Sequence, residues 1–217
     1  MEGIIYKVQP YQEHGRLLFT YTPQGKVTLL AQGSQKLNQA SRILAQYLTK
    51  ITFKEGNKSF LKLQEGVIID DFAAIKSDFS HTKSAALMLE IIDHLVVDNA
   101  DHERIFHELD LALHGHDIEL CSLSFTIKMT DILGYGLDLT PDGRPLKGLS
   151  ITQGRLIYQD EVDPIDISLS DAVGILKLMR MPYALLTEDL KIYLDAAKNF
   201  ISKYYDYHLQ ATLKNLQ

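Results

Sequence analysis

The hydrophobic period changes once along this chain, near Asp70, and that change constrains the fold more than any other feature. Before it, apolar residues recur in short runs broken by turn residues. "RLLFTYT" and "VTLLA" are rich in β-branched and aromatic residues and are separated by "PQGK", a Pro-x-Gly turn. Two strands joined so tightly form a hairpin. A short apolar run from Gly3 to Val8 predicts a strand before them, stopped at Pro10. "QYLTKITFK" alternates, with Tyr47, Thr49, Ile51 and Phe53 on one face and Leu48, Lys50, Thr52 and Lys54 on the other. "KSFLKLQEGVII" predicts a fifth strand, and "GSQKLNQASR", polar and without period, a long loop. Five short strands in about 70 residues suit a small barrel of the OB type.

Beyond Asp70 the spacing becomes helical. Ala85, Met88, Leu89, Ile92 and Val96 fall on one stripe. Asp101 is placed to N-cap "HERIFHELDLALHG", which Gly115 ends. "IELCSLSFTIKMTDILG" predicts a third long helix, closing at Gly134. Residues 137–164 are punctuated by Gly and Pro and read as a non-helical insert. "SLSDAVGILKLMRM" predicts a helix up to Pro182, and Thr187 a cap for a final helix running to the end. The fold class expected is therefore α+β. An OB-fold domain over 1–80 precedes a helical domain over 81–217, with an irregular insert at about 137–164.

The chain has 217 residues, of which 46% are hydrophobic and 23% charged. That is enough apolar material for an ordinary core. No run approaches the ~18 apolar residues of a membrane span. The first residues lack a basic segment followed by an apolar one, so no secretion signal is expected. Cys121 is the only cysteine. An internal disulfide and a CxxC metal site are excluded, and a reducing, cytoplasmic setting is expected.

Net charge is −6, which by itself argues against nucleic acid. The charge is divided, however. Residues 1–80 hold ten Lys or Arg against seven Asp or Glu, a balance of +3. The remainder holds twelve against twenty-one, a balance of −9. A basic front and an acidic back point to two modules with different partners.

The candidate DNA-contacting residues are the cations of the β region: Lys7, Arg16, Lys26, Lys36, Arg42, Lys50, Lys54, Lys58 and Lys62. OB barrels hold strands with cations on phosphate and aromatics under bases. Tyr6, Tyr11, Tyr21, Tyr47 and Phe60 are the candidates for stacking, while Phe19, Phe53 and most tyrosines are expected to fill the barrel. A single lysine on a strand is explained by solubility of the outer face. The group, with the charge split, favours DNA. Glu13, His14 and Arg16 lie in the first loop, where side-chain hydrogen bonds that fix the turn are expected.

No catalytic centre is legible, so no enzyme activity is expected. There is no G-x-x-x-x-G-K-[ST] phosphate loop and no G-x-S-x-G elbow. "GYG" at 134–136 follows a helix and is too short for a dinucleotide loop. The eight histidines show no metal-ligand spacing: His102 and His107 diverge on a helix, and His114 and His116 flank Gly115. Neither metal nor cofactor is expected. Cys121 lies in an apolar stripe, and an inert buried thiol is expected there.

Three segments, in order, resemble the RecO family of DNA repair proteins. They are "EGIIYKVQPYQEHGRLLFTYTPQGKVTLLAQG", "DILGYGLDL" and the closing "FISKYYDYHLQATLKNLQ". The resemblance implies an OB barrel followed by a helical domain. It also implies a mediator of homologous recombination that binds single- and double-stranded DNA and anneals complementary strands. With RecR, such a protein helps RecA load onto single strands coated by the single-strand-binding protein SSB. The acidic SSB tail is expected on the helical domain, where Val173, Leu176 and Met179 with Lys128, Lys177 and Arg180 would form an apolar groove rimmed by cations. For the apolar members plain helix packing is the better explanation, which leaves Lys128, Lys177 and Arg180 as the testable rim.

Two departures from the family pattern bear on this. Many members carry a zinc finger with two CxxC pairs after the L-G-Y motif. Leu139, Asp142, Tyr158 and Glu161 occupy those four positions here, a set unable to bind zinc as four thiolates do. A metal-free loop or hairpin is expected instead. Gln32 and Gln35 stand where arginine is common, leaving Lys36 and Arg42. The alternative function is therefore a protein-interaction scaffold whose OB barrel no longer binds DNA strongly. One stripe of cations would favour DNA; scattered cations would favour the scaffold.

Overall fold

A computed structural model describes residues 1–34, 41–54, 56 and 60–216. The chain divides into two compact units. The first comprises Met1–Thr82 and Ile92–Glu108, the second Lys83–Ile91 and Leu109–Gln217.

The first unit is built on an antiparallel meander of β1 (Glu2–Tyr11), β2 (Gly15–Thr22) and β3 (Gly25–Ala31). The β2–β3 turn is held as its sequence demands. The Thr22 hydroxyl donates to the Gly25 carbonyl at 2.8 Å, and Gly25 takes φ +119°, a conformation open to glycine. Helix α1 (Ser41–Leu44) and the short strands β4 (Lys50–Thr52), β5 (Phe60–Lys62) and β6 (Val67–Asp70) complete the unit's sheet, in the order β5-β3-β2-β1-β4-β6. This curled half-barrel is followed by helices, an α+β architecture consistent with an OB-type N-terminal domain. Its core is Ile5, Leu18, Leu29, Ala31, Ala45, Ile51 and Phe53, with Val8 and Leu61 packed against them.

Three expectations for this region need correction. β1 does not stop at Pro10, which pairs with Arg16. Its missing N–H is tolerated because β4 accompanies β1 only at Glu2–Ile4, leaving the far end of β1 paired on one side. The fifth strand is two strands, because Glu65 adopts φ +53° and, with Gly66, turns the chain between them. Part of the long loop is helical, as α1, while residues 35–40 lie outside the described residues.

Helices α2 (Ala73–Lys76), α3 (Phe79–Leu95) and α4 (His102–Leu113) follow. The Asp78 and Asp101 carboxylates accept from the backbone N–H groups of His81 and Arg104, one donor at each helix start. The stripe Ala85, Met88, Leu89, Ile92 and Val96 is buried throughout.

In the second unit, α5 (Ile118–Ile132) is buried on nearly every side and forms the centre. The insert resolves into a three-stranded sheet of β7 (Leu146–Ser150), β8 (Arg155–Tyr158) and β9 (Ile167–Ser168), in the order β8-β7-β9. Helix α6 (Leu169–Arg180) packs beside α5, and the Ser124 hydroxyl donates to the Leu178 carbonyl at 2.6 Å. Gly174 is required here, because a Cβ would lie 2.3 Å from the Tyr193 ring.

The single final helix expected from Thr187 is broken into a 3₁₀ stretch (Glu188–Tyr193), α7 (Leu194–Tyr204), a π turn (Tyr205–Leu209) and a last 3₁₀ turn (Lys214–Leu216). Thr187 bonds the Asp189 carboxylate rather than a backbone N–H. The break after α7 follows its anchors: Tyr204 donates to the Tyr135 carbonyl at 2.9 Å, and the fully buried Tyr205 to the Thr126 carbonyl at 2.7 Å.

Candidate nucleic-acid interface

Strand register divides the first sheet into two faces. Val8, Leu18, Leu29 and Leu61 are neighbours in a row across β1, β2, β3 and β5; Leu18 and Leu29 belong to the core, and Val8 and Leu61 pack against it. Side chains alternate along a strand, so the residues flanking this row point the other way. Two outward rows result. One reads Lys7, Phe19, Thr28, Phe60; the other reads Gln9, Leu17, Leu30, Lys62.

These rows have the makings of a stacking platform. Phe60 is 49% exposed, Phe19 is half-buried, and Leu17 and Leu30 share the second row with the exposed Lys62. The Lys7 ammonium sits 5.5 Å from the Phe19 ring centroid. At one end the face runs into an open depression of about 350 Å³, lined by Tyr11, Glu13, His14, Leu30 and Gln32 among others. Aromatic faces beside cations hold unpaired bases and their phosphates.

The other end of the same face is closed within this unit. Tyr21 is fully buried, with its hydroxyl 3.1 Å from Nδ1 of His102 and its ring against Phe106. Tyr6 is buried beside Phe19, and burial together with Asp93 pushes its phenol up to about 12. Neither tyrosine can stack on a base. Phe19, expected inside the barrel, is on the outer face instead, because its β2 neighbour Leu18 points into the core and side chains alternate along the strand. Phe53 does fill the core. Tyr11 and Tyr47 are half-buried.

The nine cations are not equivalent. Lys26 donates to the carbonyls of Asp93 (3.1 Å) and Val96 (2.8 Å), and so caps the C-terminal end of α3. Burial lowers its pKa below the ordinary lysine value. Lys50 is 8% exposed, 3.6 Å from the Glu2 carboxylate and 5.7 Å from the Phe106 ring centroid. Arg16 pairs with Ala31 and donates to the Ala45 carbonyl at 2.9 Å, on the core side of the sheet. Lys26, Lys50 and Arg16 are thus structural. Lys7 is ion-paired to Asp93 at 3.0 Å but remains at the edge of the aromatic rows. Lys54 and Lys62 are exposed, Lys54 lying 3.8 Å from the exposed Glu65. Arg42 is half-buried on α1. Lys36 and Lys58 lie outside the described residues.

In the second unit, the Lys128 ammonium stands 3.7 Å from the Tyr183 ring centroid and Lys177 5.8 Å from that of Tyr193. Arg180 and Val173 are exposed, while Leu176 and Met179 are half-buried. Sequence reasoning missed both tyrosines, which lie on the 3₁₀ segments after α6. Cys121 is buried, and burial pushes its thiol up to about 11. Gly115 is demanded by that thiol, since a Cβ there would lie 2.3 Å from Sγ. Among the described residues, no helix is long and apolar enough to cross a membrane.

A curled OB-type half-barrel with an aromatic and cationic outer face, followed by a helical unit, defines a class of two-module α+β proteins. Comparison with known proteins narrows it. A family described as "Recombination protein O C terminal" matches residues 76–145. DNA repair protein RecO of Bacillus mycoides is 30% identical over 194 residues, 83% of this chain and 77% of that protein. DNA repair protein RecO of Clostridium acetobutylicum is 29% identical over 150 residues, 63% of this chain but only 58% of its own length. That of Listeria monocytogenes serotype 4b is 27% identical over 139 residues, 54% of its length. The chain belongs to the RecO family.

Proposed function

We propose that this chain acts in DNA repair and homologous recombination by holding single-stranded DNA on the outer face of its half-barrel. The observation that carries the reading is the pair of outward rows, Lys7-Phe19-Thr28-Phe60 and Gln9-Leu17-Leu30-Lys62, where Phe60 and Lys62 are exposed. Bases stack on Phe60 and Phe19; Lys62, Lys54 and Arg42 meet phosphates. Annealing follows from holding two complementary strands with their charge neutralised. The helical unit takes the protein partners. RecR and, through it, RecA loading belong to this reading, as does binding of duplex DNA. The acidic SSB tail would be recognised by the rim of Lys128, Lys177 and Arg180.

The scaffold alternative draws support from one observation. Lys26, Lys50 and Arg16 are spent on internal contacts, which leaves fewer cations for phosphate. Salt dependence separates the two. In fluorescence anisotropy with labelled single-stranded DNA, three phosphate contacts give a slope of log affinity against log salt of about −2. Binding is expected at low salt with that slope, and replacing Lys62, Lys54 and Arg42 by Ala should flatten it. No binding even at low salt would leave the scaffold reading.

A further inference from the structure

The zinc finger that the family resemblance implies does not fit the residues present. Leu139 offers no donor and is 4% exposed, in the core. Asp142 and Glu161 are already occupied by a cation of the protein itself. Arg144 Nε donates to Asp142 Oδ2 at 2.8 Å, Nη1 to both oxygens of Asp160 at 3.1 Å, and Nη2 to Glu161 Oε1 at 3.1 Å. The guanidinium carbon lies 3.9 Å from the Tyr158 ring centroid. Three of the four positions where the finger has its ligands therefore converge on one guanidinium.

We propose that Arg144 is a resident organic cation that does here what a structural metal does elsewhere, making the insert independent of metal and of thiol redox state. The local geometry is built for it. Gly143 takes φ +92°, and the Asp142 carboxylate accepts the Arg144 backbone N–H at 3.0 Å, which turns the chain so that the side chain doubles back over β8. The Tyr158 hydroxyl accepts the Asp142 N–H at 3.1 Å, tying the turn to the strand. Glu161 is shared, its second oxygen accepting from Arg155 at 2.9 Å, and Arg155 reaches Asp163 at 3.6 Å. Isolated surface ion pairs contribute little, but a fork bound to several carboxylates and stacked on a ring forms a network with fixed geometry. A thiolate finger fails when its sulfurs are oxidised or its metal removed. No sulfur enters this cluster, and the one thiol of the chain is buried elsewhere.

The test is hydrogen exchange by mass spectrometry on the full chain, comparing residues 139–163 with α5 as internal reference. Neither 1,10-phenanthroline nor hydrogen peroxide should change exchange in 139–163. Arg144→Ala should accelerate it by at least about tenfold while α5 keeps its protection. Arg144→Lys, which keeps the charge and loses the fork, should give an intermediate increase and decides the matter if the alanine variant does not fold. Acceleration of the wild-type insert by chelator or peroxide would overturn the proposal. So would unchanged exchange in the lysine variant, or in the alanine variant when folded.

Discussion

Phe60→Ala is expected to weaken single-stranded DNA binding by roughly 5- to 150-fold, with little change in folding stability. Removing one base-stacking ring costs about 1–3 kcal/mol, and each 1.4 kcal/mol is tenfold in Kd. Phe60 is half-exposed on β5, at the edge of the sheet, so its ring contributes little to the core. The effect should be on affinity alone. Equilibrium anisotropy and a denaturant titration of the same variant check both halves. Phe60→Tyr, which keeps an aromatic face, should bind like the wild type, and this separates stacking from a general loss of apolar surface.

Lys26→Ala is expected to do the reverse. It should destabilise the first unit by about 1.5–3 kcal/mol, the range for hydrogen bonds made by a charged group, and leave DNA affinity within about twofold. Its ammonium holds two carbonyls at the end of α3. Denaturant midpoints and anisotropy, measured together, check this. A large affinity loss in Lys26→Ala with stability intact would mean that the ammonium serves phosphate rather than the helix end.

These two variants show what was legible in the sequence and what was not. The sequence named both as candidates for DNA, Phe60 for stacking and Lys26 for phosphate, and strand pairing puts both on the outward side of the sheet. What alternation cannot convey is coverage. Asp93 and Val96 lie some seventy residues after Lys26 in the chain, and only the fold brings the end of α3 over that side chain. The same blindness made Tyr6 and Tyr21 look available for stacking. Phe19 was misplaced for a different reason: Leu17, Leu18 and Phe19 are all apolar, so the segment does not show which of its two faces is the core, and the structure turns Leu18 inward. Helix starts were legible where an aspartate precedes an amphipathic run, as at Asp101, because an N-cap needs nothing beyond the next three residues. The π turn at Tyr205–Leu209 depends on a hydroxyl bonding a carbonyl 79 residues away, and nothing local announces it.

Arg144 belongs to the same lesson. The sequence showed that the thiolates were missing, and hence what the insert could not do. Its replacement became visible only when Asp160 and Glu161 were brought around the guanidinium by β7 and β8 pairing, Leu146 opposite Tyr158.

The central claim is that DNA lies on the outward rows of β1, β2, β3 and β5. The most direct measurement is photocrosslinking of single-stranded DNA bearing 5-iodouracil, with the modified peptides identified by mass spectrometry. Crosslinks on peptides containing Phe19 and Phe60, lost when excess unlabelled strand is added, are the predicted result. Crosslinks confined to residues 109–217 would contradict it.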